Sequence, residues 1–70
     1  MSKADKMFEE LGYRKETRYP YIYYINPLKS FGISFLDGKR KEYQRHNHAI
    51  TTIEEHLAIH EKMKELGWIE

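Results

Sequence analysis

TTIEEHLAIHEKMKELGW, residues 51–68, spells out both ends of a helix. Thr52 is a good N-cap, because its hydroxyl accepts from an unpaired backbone N–H of the first turn. Glu55 three residues on completes a capping box. Glu54 and Glu55 also place negative charge at the positive end of the helix dipole. At about 100° per residue, Ile53, His56, Leu57, Ile59, His60, Met63 and Leu66 share one broad face, and Glu54, Glu55, Glu61, Lys62 and Glu65 fall largely on the other. Leu66-Gly67-Trp68 reads as the stop: Gly67 takes the left-handed conformation and Trp68 folds back on Met63. Two histidines, His56 and His60, stand near the middle of the apolar stripe.

The same grammar recurs at the other end of the chain. Ser2 caps a short helix running to Leu11, with Asp5 in its first turn and Ala4, Met7, Phe8 and Leu11 as its stripe. Gly12 ends it and Tyr13 can fold back on Phe8, as Trp68 does on Met63. Between the helices, residues 14–18 (RKETR) read as a polar connector or the ragged start of a strand. Tyr19 to Ile25 (YPYIYYI) is aromatic and β-branched and suits a strand, with Pro20 confined to its start or to an edge. Asn26-Pro27-Leu28-Lys29-Ser30 is a turn. Phe31, Ile33 and Phe35 alternate with Gly32 and Ser34, the pattern of a central strand with one buried face. Asp37-Gly38 signals a hairpin into a polar strand from Lys39 to Arg45, whose apolar contact is mainly Tyr43, and His46 to Ile50 leads to the last helix. The predicted fold is therefore α+β, in the order α-β-β-β-α: a three-stranded antiparallel meander with both helices packed on one face. Whether Tyr19, Tyr21 and Tyr23 or Ile22 and Tyr24 face the core is left open by the pattern.

Seventy residues make a single domain, 1–70, with a small core; six Tyr, three Phe and one Trp supply its bulk. The absence of cysteine removes disulfides and fits a reducing, cytoplasmic setting. No apolar run approaches the roughly 20 residues of a membrane span, and MSKADKMFEE lacks the apolar core of a signal peptide, so no membrane partner is expected. The net charge of +1 is small but uneven: the two end segments are acidic and residues 13–48 are basic.

Two constellations stand out. His56 and His60 lie one turn apart and, with His46 and His48 upstream, have the donors for zinc or another divalent metal. The alternative is that they are core or boundary histidines satisfied by backbone or tyrosine hydroxyls. The second is basic and aromatic. Arg18, Tyr19, Tyr21, Tyr23, Lys39, Arg40, Lys41 and Arg45 could line one sheet face and a hairpin tip, where tyrosines stack on bases and cations meet phosphates. The alternative is edge protection by solvated cations. There is no glycine-rich phosphate loop, no cysteine nucleophile and no serine with triad partners, and Glu54 and Glu55 point apart, so no catalytic set is read.

Ile50-Thr51-Thr52 followed by His56-Leu57-Ala58-Ile59-His60, with Gly38 to Tyr43 and His46 and His48 before it, resembles the closing part of the HNH, or ββα-metal, nucleases of colicin type. That resemblance implies one divalent metal held by His56 and His60, with His46 or His48 as base or third ligand, and attack on a phosphodiester. It departs from the family in spacing, since only Ala49 to Glu55 separate the paired histidines from the helical pair. Across most of the chain, Lys3-Ala4-Asp5-Lys6-Met7-Phe8-Glu9-Glu10-Leu11-Gly12-Tyr13, the strands Tyr21 to Ile25 and Phe31 to Leu36, and Ile53 through Trp68 are similar to small proteins of phages and prophages of Gram-positive bacteria. This implies a bacterial cytoplasm and an accessory role through binding a host or phage macromolecule. The expectation is a non-enzymatic, cofactor-free interaction protein that self-associates as a homo-oligomer and works through an aromatic sheet face or edge. A nucleic-acid-binding module and an HNH-like metal nuclease are the alternatives.

Overall fold

A computed structural model describes residues 2–28, 31–36, 41–46 and 51–69. The elements in order are α1 (Lys3–Glu10), β1 (Arg14–Arg18), β2 (Tyr21–Asn26), β3 (Phe31–Leu36), β4 (Glu42–Arg45) and α2 (Ile53–Glu65). The strands form one antiparallel meander in the order β1-β2-β3-β4. The α+β class and the helix–sheet–helix order stand as read. The strand count does not: RKETR is a full strand, pairing Arg14 with Ile25 through to Arg18 with Tyr21. Its sequence hides this because an edge strand with both faces near solvent needs no apolar alternation; its backbone is recruited by β2. Tyr19 and Pro20 form the turn between β1 and β2, joined by a cis peptide bond. The predicted Asp37-Gly38 hairpin lies outside the described residues, but β3 and β4 pair antiparallel on either side of it, Leu36 opposite Glu42.

Both helix ends form as spelled. Ser2 Oγ accepts from the Asp5 N–H at 3.0 Å. Thr52 and Glu55 close the capping box in both directions, at 3.1 and 3.0 Å. At the two stops Gly12 and Gly67 have φ of 93° and 78°, and the following residue donates back into the last turn, Tyr13 to Phe8 and Trp68 to Met63. The two helices run antiparallel, with Lys3 beside Glu61 and Leu11 beside Leu57.

They cover one face of the sheet. Register settles the tyrosine question: Ile22, Tyr24 and Asn26 face the helices together with Ile33 and Phe35, whereas Tyr21, Tyr23 and Ile25 face away. The core is Phe8, Tyr13, Tyr24, Ile33, Phe35, Ala58 and Ile59, with Trp68, Met63 and Leu66 closing its margin. Phe8 stacks on Tyr24 with ring centroids 4.0 Å apart, and Phe35 meets Phe8 and Tyr24 edge-on. Such aromatic pairs add about 1 kcal/mol each beyond area burial, which matters in so small a core.

The inward face of α2 differs from the stripe read in the sequence. Glu55, Ala58, Ile59 and Lys62 are buried, while Ile53, His56, Leu57 and His60 are exposed. The helix is rotated because Glu55 and Lys62 find inward partners that the periodicity cannot see: Tyr13 and Arg45 of β4 for the first, Asp5 of α1 for the second.

Candidate functional site

With both helices on one side, no element among the described residues covers the other side of the sheet, here called the bare face. Register places its side chains in three rows across the strands. One row is Arg18, Tyr21, Leu36 and Glu42; the next is Glu16, Tyr23, Ser34 and Gln44; the third is Arg14, Ile25, Gly32 and, continuing from β4, His46. Tyr21 and Tyr23 stack along the strand, centroids 5.8 Å apart and planes 25° from parallel. Beside them a shallow depression of about 360 Å³ opens over Tyr21, Ser34, Leu36, Glu42 and Gln44. The His46 ring lies over Gly32, with Nε2 3.2 Å from Ser34 Oγ. A Cβ added at Gly32 would sit 3.0 Å from the Tyr24 carbonyl oxygen, so this close crossing of strands needs glycine.

The residues marked in the sequence separate. Arg18, Tyr21 and Tyr23 are on the bare face, and Tyr19 stands 84% exposed in the adjoining turn. Lys41 is exposed ahead of β4 with φ of 54°; Lys39 and Arg40 lie outside the described residues. Arg45 points the other way, toward the helices, its side chain 15% exposed and Nη1 3.5 Å from the Glu55 carboxylate. It is part of the scaffold and cannot meet a ligand on the bare face. Of the four histidines, His46 is on the bare face, His56 and His60 are solvent-facing on α2, and His48 lies outside the described residues. Among the described residues no three His, Cys, Asp or Glu side chains converge as metal ligands.

Arg14, Glu16, Leu36, Glu42, Gln44 and His46 were missed as members of one surface. The signal was present: Arg14-x-Glu16-x-Arg18 and Glu42-x-Gln44-x-His46 each put three polar side chains on one side of a strand. Reading it required knowing that residues 14–18 are a strand.

Two ionic networks hold the helix layer to the sheet. In the first, Glu55 accepts from the Tyr13 hydroxyl and the Thr52 backbone N–H, with Arg45 alongside. Burial raises the Glu55 carboxyl, but the bonds from Tyr13 and Thr52 and the Arg45 charge outweigh it and keep it below the ordinary value. The same burial, reinforced by Glu55, pushes the Tyr13 phenol up to about 12. In the second, Asp5 accepts from Tyr24 at 2.5 Å and Lys15 at 2.8 Å, with Lys62 3.7 Å away. Lys62 is 1% exposed and also meets Glu65 at 2.5 Å. Burial raises Asp5, and the bonds from Lys15 and Tyr24 with the charge of Lys62 more than reverse it. Burial raises Tyr24 too, and its bond to Asp5 adds to the shift. Tyr13, Glu55, Asp5, Lys15, Tyr24 and Lys62 are all hydrogen-bonded within the fold and Arg45 is ion-paired to Glu55, which marks both networks as structural.

Comparison of the chain with family models, curated proteins and solved structures finds no match in any of the three.

Proposed function

We propose that this protein is a small non-enzymatic binding module, of the accessory kind found in phages, that docks a partner protein on its bare sheet face. The observation that carries the reading is the one-sided packing. Both helices lie on the Ile33/Phe35 side, and the opposite face offers a tyrosine stack, Leu36, and the donors and acceptors of Arg18 and Gln44 around a shallow depression. Tyrosine and arginine among adaptable polar groups are the composition of protein interfaces.

The edges are less suited. β1 is Arg-Lys-Glu-Thr-Arg and β4 is Glu-Tyr-Gln-Arg, and charged edges resist strand addition. Size bounds the affinity: four strands about 4.8 Å apart and up to six residues long make a face of roughly 300–400 Å², about half the usual 800 Å² per partner. A transient contact fits this better than an obligate dimer across the same face.

The stacked tyrosines beside Arg14 and Arg18 favour single-stranded nucleic acid as the second reading. Charge decides against placing it first: Glu16 and Glu42 offset the two arginines, and Arg14 sits 3.6 Å from Glu16.

The test is a photo-crosslinking side chain placed at Tyr23 or Gln44 on the bare face and at Lys6 on the helix layer, in bacterial cells expressing the protein. The same protein adduct is expected from both bare-face positions, none from Lys6, and loss of the adduct on Tyr21→Arg, a substitution at an exposed position. Equal adducts from the two sides would sink the proposal. Adducts to nucleic acid, with binding of a labelled oligonucleotide that falls steeply with salt, would replace it by the second reading.

A further inference from the structure

On the opposite side of the molecule from the bare face, the ends of α1 and α2 enclose a groove of about 190 Å³ lined by Met7, Leu11 and Leu57, with Glu10 and Glu54 on its rim. Leu57 is 48% exposed and Ile53, one turn before it, is 64% exposed, so the apolar strip continues beyond the groove. Neither feature belongs to the core cluster's buried set. Among the described residues neither rim carboxylate has an ion-pair partner. An apolar hole between two free carboxylates calls for an apolar or aromatic knob carried next to a cation.

The chain presents such a knob itself. Tyr19 stands 84% exposed in the β1–β2 turn, the most exposed aromatic side chain among those described, and Arg18 beside it makes no ion pair among the described residues. The knob cannot reach its own groove. The groove lies at the end of the molecule where α1 turns into β1, and the five residues of β1 carry Tyr19 about 16 Å away from there. A second copy is required.

We infer that the protein self-associates by seating Tyr19 of one copy in the Met7/Leu11/Leu57 groove of another, with Arg18 set against Glu10 and Glu54. The contact is unlike-to-unlike, so every copy brings one knob and one groove. It leaves Tyr21, Tyr23 and Gln44 uncovered, so it does not depend on the bare face having a partner.

Sedimentation velocity in low salt, over a concentration series up to about 1 mM, tests this in the range where contacts smaller than a standard interface associate. The wild-type mass average is expected to climb with concentration. Tyr19→Asp, which lacks the knob, and Leu57→Asp, which lacks the groove, are each expected to stay monomeric. An equimolar mixture of the two is expected to associate again, because each variant keeps the half that the other has lost. Arg18→Glu and Glu54→Arg should each weaken the wild-type association and restore it when combined, a readout that survives if Leu57→Asp folds poorly. Lys6→Glu, on the helix layer away from the groove, should leave the mass profile unchanged. A wild type that remains monomeric throughout overturns the inference, as does Tyr19→Asp associating like the wild type. A mixture or charge swap that restores nothing overturns it as well.

Discussion

Glu54 and Glu55 are adjacent, identical in charge and both placed at the positive end of the helix dipole, yet the fold treats them differently. Glu54 sits exposed on a groove rim, whereas Glu55 is 7% exposed and bonded to Tyr13, Thr52 and Arg45. Glu55→Ala removes the glutamate half of the capping box, worth about 0.5–1 kcal/mol. It also leaves the Tyr13 hydroxyl without its charged acceptor, about 1.5–3 kcal/mol. Finally it strands Arg45, whose guanidinium nitrogens are buried without hydrogen bonds among the described residues and whose Nη1 lies 3.5 Å from the Glu55 carboxylate. Breaking a buried pair from one side costs about 3–5 kcal/mol. These losses share atoms and do not add, so the expected destabilisation is about 3–4 kcal/mol, against about 0.5 kcal/mol or less for Glu54→Ala. For a chain of this length, total stability is about 4–10 kcal/mol and each kcal/mol moves the melting temperature by about 4–8 °C. Glu55→Ala should therefore melt at least about 12 °C below the wild type or fail to fold, while Glu54→Ala melts beside it. Glu55→Gln keeps the box and should fall between. Urea denaturation of the three variants, with Tyr13→Phe added to close a double-mutant cycle, measures this directly. Equal stabilities for Glu54→Ala and Glu55→Ala would refute the reasoning.

Two further outcomes follow from the charges. Asp5, Glu55 and Glu65 titrate below their ordinary values of 3.8 and 4.5, so the unfolded chain takes up protons first. Their contribution is complete above pH 4.5 and is lost as pH falls through the lowered folded values, and a urea midpoint that holds level down to about pH 3 would contradict it. Tyr13, raised from 10.0 to about 12, has the opposite sign: its contribution is intact below pH 10 and disappears as pH climbs toward 12, a loss that Tyr13→Phe should remove. His56 and His60 stand exposed one turn apart on α2, the spacing at which two imidazoles can reach one added zinc or nickel ion, and a thermal shift tests whether they do. Saturating metal at about 100 times its dissociation constant should stabilise the protein by about 2.7 kcal/mol and leave His60→Ala unmoved; no shift in the wild type, with no metal adduct in native mass spectra, would end the metal reading.

Local chemistry was enough to write both helix ends. Thr52 with Glu55, Ser2 with Asp5, and the Gly12 and Gly67 stops depend on side chains within a few residues of the backbone groups they satisfy, so sequence by itself determined them. The alternation around Ile33 and Phe35 likewise fixed the central strand and its buried face. Three things were settled only in three dimensions. RKETR became a strand because β2 offered it an unpaired edge. Tyr24, rather than Tyr21 or Tyr23, turned inward because its register against Ile33 brought it beneath Phe8 and within reach of Asp5. Most of all, α2 settled with Glu55 and Lys62 inside and His56 and His60 outside. Helical periodicity ranks residues by polarity alone, and on that scale the histidines belong nearer the core than a glutamate or a lysine. Partners 42 and 57 residues away in sequence, Tyr13 for Glu55 and Asp5 for Lys62, reversed the ranking. A charge that finds its counter-charge at the boundary loses the penalty that would have kept it in water, and no local pattern records where that counter-charge will be.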